Sequence, residues 1–315
     1  MRVHLHVPPH AREKIEEGRA QFWTPLADLI RGTGGEVALR RYEARSHDRI
    51  DPDDGELHIV NNGAIGHANV LNAALAYVDG YWHLDPRGVL SVSSIGERRF
   101  DPEEVDVRAA RALFRTLRRR HVERRRSRYK QPRGALGGDM PEGAVALFLQ
   151  GPSHLTDRAR LCSTPDMIRS VARGAGRPVR VKAHPLKVAP EDLTAVEEMA
   201  GEGHDVALVD GNVHDLLARC CAAVSISSAC SFEAFLHRKP AILYGRSDFA
   251  QNAVEVRDLD RFEEALEEAT SRRWPHVGFV HWYLAEQCLD ARADDFGARA
   301  LRVLAAAGYR ANVRP

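Results

Sequence analysis

Five short polar stretches in the second half of the chain have chemistry to offer, and each stands at the end of an apolar run. Gln150 follows Ala144–Leu149; Lys182, His184 and Pro185 follow the run that begins at Val179; Asp210 follows Val206–Val209; Ser225, Ser227 and Ser228 end the run from Ala222; Tyr244 and Gly245 follow Ala241. One polar residue at a strand end is ordinary, but five in register mark one edge of a sheet. In Ser225–Glu233 (SISSACSFE) small residues sit at a strand–helix junction. Small side chains let a phosphate reach the backbone N–H groups of a helix N-terminus. The same spacing equally serves a plain N-cap by Ser227 or Ser228. Pro185 holds His184 extended. That imidazole either donates to a phosphate oxygen, with Lys182 adding charge, or is a surface loop histidine.

Several reaction classes are excluded by missing motifs. The chain has neither GxGxxG nor a GxxxxGK[ST] loop, and neither GxSxG nor HExxH. Five cysteines have no paired spacing, and Cys220 and Cys221 are adjacent, which reads as reduced thiols of a cytosolic protein. His4 and His6 share one face of a strand, but no carboxylate or cysteine cluster lies near them in sequence, so no metal is expected. Lys+Arg is 45 and Asp+Glu 44, so the chain as a whole is no generic polyanion binder. Its basic surface is local: Arg115–Lys130 is either a solvated helix face or a ledge for an anionic glycan or lipid surface. No aromatic interleaving accompanies it, so nucleic acid is not expected.

Positioning these residues requires a parallel sheet. At 315 residues the chain suits two domains. Strands are expected at Arg2–Val7, Glu36–Arg40, Leu57–Asn61 and Tyr81–Leu84, with a helix over His10–Ile30. Asp101 as N-cap with Pro102 at N1 predicts a long helix to about Tyr129. Gln131–Gly143 is rich in Pro and Gly and reads as a linker. Beyond it, strands at Ala144–Leu149, Val179–Ala183, Val206–Val209, Ala222–Ile226 and Ala241–Tyr244 alternate with helices at Pro165–Arg173, Glu191–Ala200, Val213–Cys220 and Phe232–His237. That rhythm predicts right-handed βαβ crossovers. The fold class is therefore α/β: two Rossmann-like domains facing across a cleft, at 1–135 and 144–280, with a helical segment at 281–315. Ligands of such sheets bind at the strand carboxyl ends.

Three stretches resemble the bacterial capsular polysaccharide biosynthesis glycosyltransferases of the Kdo-transferase type. They are VKAHP at 181–185, SISSACSFEAFLHRKPAILYG at 225–245, and YWHLDPRG at 81–88 with SRYKQP at 127–132. The resemblance implies a GT-B fold whose second domain holds the donor nucleotide, with a C-terminal helix crossing back to the first domain. It implies CMP-activated Kdo, or another CMP-sugar, as donor. It also implies metal-independent transfer to a capsule or lipid-linked glycan. His184, Ser227 and Ser228 would contact the donor phosphate, and Glu233 would accept from ribose hydroxyls. Gln150 matches the family's strand-end Gln; Lys182, Pro185 and Gly245 complete the donor-binding set. Asp157, with His184, would be the catalytic pair, the carboxylate serving an oxocarbenium-like centre. Asp53-Asp54-Gly55 is similar to the acidic general-base motif of sialyltransferase relatives. Asp51-Pro52-Asp53 has the spacing of a metal-binding DxD but a proline at its centre.

The alternatives are a non-catalytic nucleotide- or glycan-binding protein with a transferase-like fold, and a sugar-nucleotide epimerase. With no signal peptide or apolar span, the expected location is cytoplasmic, peripheral at the inner membrane if Arg115–Lys130 meets lipid.

Overall fold

The computed structural model describes residues 1–42, 50–51, 53–134, 139–151 and 153–311. It divides into two compact units, Met1–Arg98 with Leu284–Pro315, and Arg99–Tyr283.

The strands of the first unit are β1 (Arg2–Val7), β2 (Glu36–Arg41), β3 (Leu57–Asn61), β4 (Val70–Leu75) and β5 (Tyr81–Asp85). Those of the second are β6 (Val145–Phe148), β7 (Val179–Lys182), β8 (Val206–Leu208), β9 (Ala222–Ser225), β10 (Ala241–Leu243) and β11 (Val254–Glu255). The last strand, β12 (Leu289–Asp290), returns to the first unit. The first sheet runs β12-β5-β4-β3-β1-β2, with β1 to β4 mutually parallel and β5 and β12 antiparallel to their neighbours. The second runs β11-β10-β9-β6-β7-β8 and is wholly parallel.

Alternation in β1 sets the layers of the first unit. Val3, Leu5 and Val7 are fully buried in a core with Leu26 and Ile30 of the helix Trp23–Gly32 and Ala300 and Leu304 of the helix Phe296–Ala306. His4 and His6 take the opposite face, as a period of two requires. The single helix expected over His10–Ile30 is two, Pro9–Glu16 and Trp23–Gly32. Gly18, at φ +69, turns the chain between them.

The second unit follows the expected βα rhythm closely. Its central strand β6 is wholly apolar and buried at all four positions, as suits a strand covered on both faces. Several of its helices start on side-chain caps: Ser163 accepts from the Asp166 N–H, Asn212 from the His214 N–H and Ser228 from the Cys230 N–H.

Two expectations change at the junction. The long helix does not begin at Asp101. Asp106 is the N-cap, its carboxylate accepting from the N–H groups of Arg108 and Ala109, and the helix is Val107–Leu117. Arg118–Val122 continue as a wider π-type turn. The chain also divides between Arg98 and Arg99 rather than in Gln131–Gly143. The helix Val107–Leu117 packs on the helix His276–His281, and the Arg118 guanidinium donates to the carbonyl of Leu236, so both belong to the second unit. Of the expected linker, 135–138 lie outside the described residues; the rest also falls in the second unit. The chain from Leu284 onward clusters with the first sheet, where β12 pairs Leu289 with Trp82 and Asp290 with Tyr81.

The second unit buries histidines that stay neutral. His214 donates from Nε2 to the Arg126 carbonyl (2.8 Å), so its Nδ1 accepts from Nε2 of His237 (2.9 Å). Burial, followed by His214 and Arg118, pushes His237 down to about 3; burial, followed by Arg238, pushes His276 down to about 4. An unfolded histidine titrates near ~6.5. Below that pH the unfolded chain binds protons that the folded chain refuses, so stability is full above ~6.5 and falls as pH drops toward 4. Urea midpoints measured from pH 7.5 to 5 should decline. His237→Gln, which keeps a donor toward His214, should decline less.

Candidate functional site

In the second sheet β6 connects to β7 on one side and has β9 on the other. The order in which strands are added reverses there, and open α/β sheets bind ligands at such a crevice, beyond the strand carboxyl ends. Gln150, just past β6, spans it: its Oε1 accepts from the Ser227 N–H, just past β9, at 2.6 Å. With the oxygen occupied, the Gln150 amide NH2 is the group left to donate.

Behind the crevice the serines are ordered by one another. Ser225 Oγ accepts from the Ser228 N–H (2.9 Å) and bonds Ser231 Oγ (2.8 Å). Ser228 caps the eight-residue helix Ala229–Leu236. The capping alternative is therefore real for Ser228, whereas Ser227 lies in the bend before the cap, with its N–H held by Gln150. Lys182, at the end of β7, is 8% exposed, with Nζ 4.0 Å from Asp210.

His184 is half-buried two residues past β7. Its Nδ1 accepts from the N–H groups of Leu186 and Lys187, both at 3.3 Å. Burial, then Lys187, lowers its pKa. The ring is thus neutral with its proton on Nε2, a fixed hydrogen-bond donor. Gly151 makes room for it, since a Cβ there would lie 3.2 Å from His184 Nδ1. Pro185 is exposed and shapes the loop.

Glu233 points inward from the helix Ala229–Leu236 and is 2% exposed. Burial pushes its carboxyl up to about 7, against hydrogen bonds from the Ser127 hydroxyl and the Arg128 N–H. The Ser127 distances are 2.7 and 3.0 Å.

Ser127 belongs to SRYKQP, expected, from the resemblance, in the first domain. The structure places it in the second unit, along the site. Tyr129 sets its ring edge-on to His184, centroids 5.1 Å apart, and Gln131 Oε1 accepts from the Val213 N–H at 3.2 Å. Ser127, Tyr129 and Gln131 were assigned no individual roles from sequence. The signal was the patch itself; what sequence could not show was the contact across 106 positions between Ser127 and Glu233.

Other expected residues have different settings. Gly245 lies where a Cβ would come within 2.7 Å of Ile226 Cγ2 and 2.9 Å of the Ile226 carbonyl. Its glycine is explained by close packing behind Ser227. Asp157 is exposed on the helix His154–Ala159 and pairs with Arg160 at 2.9 Å. That ion pair is with a neighbour on its own turn, not with Gln150, His184 or Glu233. Asp54 of the DDG motif, in the first unit, stands before β3, at the amino end of that strand, and bonds His58. A general base for a ligand at the strand carboxyl ends is not placed there. Pro52, of the DxD-like triplet, lies outside the described residues. Burial raises the thiols of Cys162, Cys220 and Cys230 to about 11, 12 and 12, so they are not nucleophiles.

Part of the Arg-rich stretch is structural. Arg118 holds Leu236, and Arg125, at φ +51, pairs with Asp215 and donates to the carbonyls of Arg133 and Gly134. Arg111, Arg115 and Arg119 recur every four residues and are exposed. An open groove there is lined by Arg115, Arg118, Arg119 and Glu123.

Comparison with known proteins bears on this arrangement. Residues 163–272, the stretch that holds β7 to β11 and the helix Ala229–Leu236, match the family model described as capsule polysaccharide biosynthesis protein. No curated protein sequence matches the chain. Among solved structures, the chain is similar to the β-Kdo 2,7 transferase of Thermosulfurimonas dismutans KpsC, with TM-score 0.57 and 13% identity, covering 98% of this chain and 99% of that one. The β-Kdo 2,4 transferase of the same KpsC gives TM-score 0.49 and 18% identity, covering 89% of each chain. The UDP-GlcNAc 2-epimerase of Methanocaldococcus jannaschii gives 0.39 and 9%, covering 97% and 99%. The first establishes the fold as two Rossmann-like units of the GT-B type. The capsule-biosynthesis resemblance read from 181–185 and 225–245 falls inside the matched segment.

Proposed function

We propose that the protein is a glycosyltransferase that moves Kdo or a related acidic sugar from a CMP-activated donor to a capsule or lipid-linked glycan. One observation carries the reading. At the switch point of the second sheet, a neutral His184 Nε2–H donor, the Gln150 amide, the Ser227 hydroxyl and Lys182 gather beyond the strand carboxyl ends. That set suits a phosphate from which a sugar departs, because fixed donors stabilise charge as it builds on the leaving group. Glu233, braced by Ser127, accepts from the ribose. Asp157, on the helix following Gln150, is the carboxylate assigned to the oxocarbenium-like centre. The exposed arginines 111, 115 and 119 suit an anionic acceptor or the surface of an anionic membrane. Among the described residues no helix is long and apolar enough to cross a membrane.

The reading is tested by thermal stabilisation with CMP, CDP, CTP, UDP, GDP and ADP. A ligand at ~100 times its Kd adds about 2.7 kcal/mol. CMP should raise the melting temperature most, and CMP-Kdo turnover should follow. A selective UDP or GDP response would overturn the CMP-sugar assignment. No response at all would favour a protein without this donor site. Asp157→Asn should abolish turnover and leave the CMP shift intact.

A further inference from the structure

The histidines of β1 face a cluster that sequence spacing concealed. His4 Nε2 meets the Glu56 carboxylate, His58 Nε2 lies 3.1 Å from Asp54 Oδ1, and His6 Nε2 lies 2.9 Å from His58 Nδ1. The rings of His4 and His58 stack at 4.9 Å, and those of His6 and His58 at 5.2 Å. His4, His6 and His58 are 4%, 8% and 4% exposed. Three imidazoles buried on one face, opposite an all-aliphatic one, are costly unless their nitrogens are used.

We propose that His4 Nε2, Asp54 and Glu56 form a binding site for a divalent first-row metal ion, distinct from the candidate site of the second unit. The nitrogen and one oxygen of each carboxylate lie within 4.8 Å of one another. Ligation at about 2.0–2.2 Å draws such atoms to within roughly 4 Å, a small closure for the loop residues Asp54 and Glu56. One imidazole and two carboxylates suit zinc, manganese or iron(II) and leave coordination positions for water. His58 is not a ligand. It donates to Asp54 and takes a hydrogen bond from His6, the supporting role that orients a ligating carboxylate.

Arg40 Nε donates to His4 Nδ1 at 3.0 Å, which leaves the His4 proton on Nε2, facing Glu56. The ion takes Nε2, and the ring proton moves to Nδ1. Arg40 then loses its acceptor and turns into solvent, which is easy because it is exposed on the edge strand β2. Arg2, paired with Glu36 at 3.0 Å and with Glu56 at 3.6 Å, keeps Glu36. The ion fastens the loop before β3 onto β1. It lies at the amino ends of these strands, so it serves the fold of the first unit and not the transfer chemistry.

Tag-free, chelator-treated full-length protein is titrated with Zn2+ by calorimetry, and with Co2+ by visible absorption. One equivalent per chain is expected. His4→Ala and Glu56→Gln should weaken binding by more than ~10-fold and His58→Gln by ~10–100-fold. Arg40→Gln should tighten it. His67→Gln, whose imidazole pairs with Asp53 instead, should change nothing. Because Glu56→Gln alters one partly exposed side chain, it decides the matter even if His4→Ala fails to fold. Zn2+ binding equal in wild type and Glu56→Gln, or the absence of a stoichiometric site, would overturn the proposal. Weaker binding by Arg40→Gln would overturn the tautomer exchange.

Discussion

His184→Ala should lower kcat for CMP-sugar transfer by ~10²–10³-fold while the melting temperature moves little. The size follows from losing one fixed donor aimed at developing negative charge. The small stability effect follows from the ring's setting, half-buried, with Nδ1 bonded only to two N–H groups of its own exposed loop. His184→Gln places an amide NH2 near the Nε2 position and should recover part of the rate. The pH profile separates two roles. A protonated histidine acting as general acid would lose activity as pH rises through the histidine range. His184 is held neutral by burial and Lys187, so kcat should show no alkaline limb there. Such a limb, present in wild type and missing in His184→Gln, would sink the fixed-donor role.

The second unit was legible because of how its strands are buried. Apolar runs such as Ala144–Leu149 are short and bounded by turn residues, which favours a buried strand, and Ser163, Asn212 and Ser228 mark the starts of three of its helices. The first unit was less so. β4 (VLNAAL) was missed because Asn72 interrupts it. That side chain is fully buried and acts as a clamp, accepting from the Ile65 N–H (3.0 Å) and donating to the carbonyls of Ile65 (2.9 Å) and Asp85 (3.2 Å). β11 and β12 are two residues each, too short for any period to register. The helix expected from Asp101 to Tyr129 rested on capping chemistry at the wrong aspartate and on continuous arginines. A surface helix also needs a buried stripe, and here it runs through Ala110, Phe114, Leu117 and His121 and no further along the arginines.

The site divides along the same line. Residues at strand ends were readable because the parallel-sheet argument fixes where they lie. Residues arriving from elsewhere in the chain were not. Tyr129 reaches His184 from 55 positions away, on a stretch that looked like the approach to a linker. The histidine cluster failed for the converse reason. His4 and His6 were seen together, but their carboxylates arrive from 52 positions on, through the pairing of β1 with β3. A rule that looks for ligands near in sequence cannot find a site that a sheet register builds.

Above pH 7, where the carboxyl is ionised, Glu233→Gln should weaken CMP binding by ~10–150-fold, the range for losing a charged acceptor from a hydrogen bond worth about 1.5–3 kcal/mol. It should fold as well as wild type, because the amide oxygen still accepts from Ser127 and the Arg128 N–H. Its stability should differ from wild type in a particular direction with pH. Burial raises the Glu233 carboxyl to about 7, above the ~4.3 of an unfolded glutamate. Between those values the folded chain holds a proton that the unfolded chain has released. The wild-type contribution is therefore fully present below ~4.3 and is lost as pH rises through 7. Relative to Glu233→Gln, wild type should lose stability across that window, by an amount on the order of a few kcal/mol. Denaturation midpoints of the two proteins from pH 4.5 to 8 make the comparison, and taking their difference removes the opposite slope of His237 and His276. Ser127→Ala should share the loss of CMP affinity in smaller measure, since it removes one brace and not the acceptor. Parallel pH curves for wild type and Glu233→Gln would show that the carboxyl ionises in the fold as freely as in water. A Glu233→Gln variant that bound CMP as wild type does would remove Glu233 from the donor site.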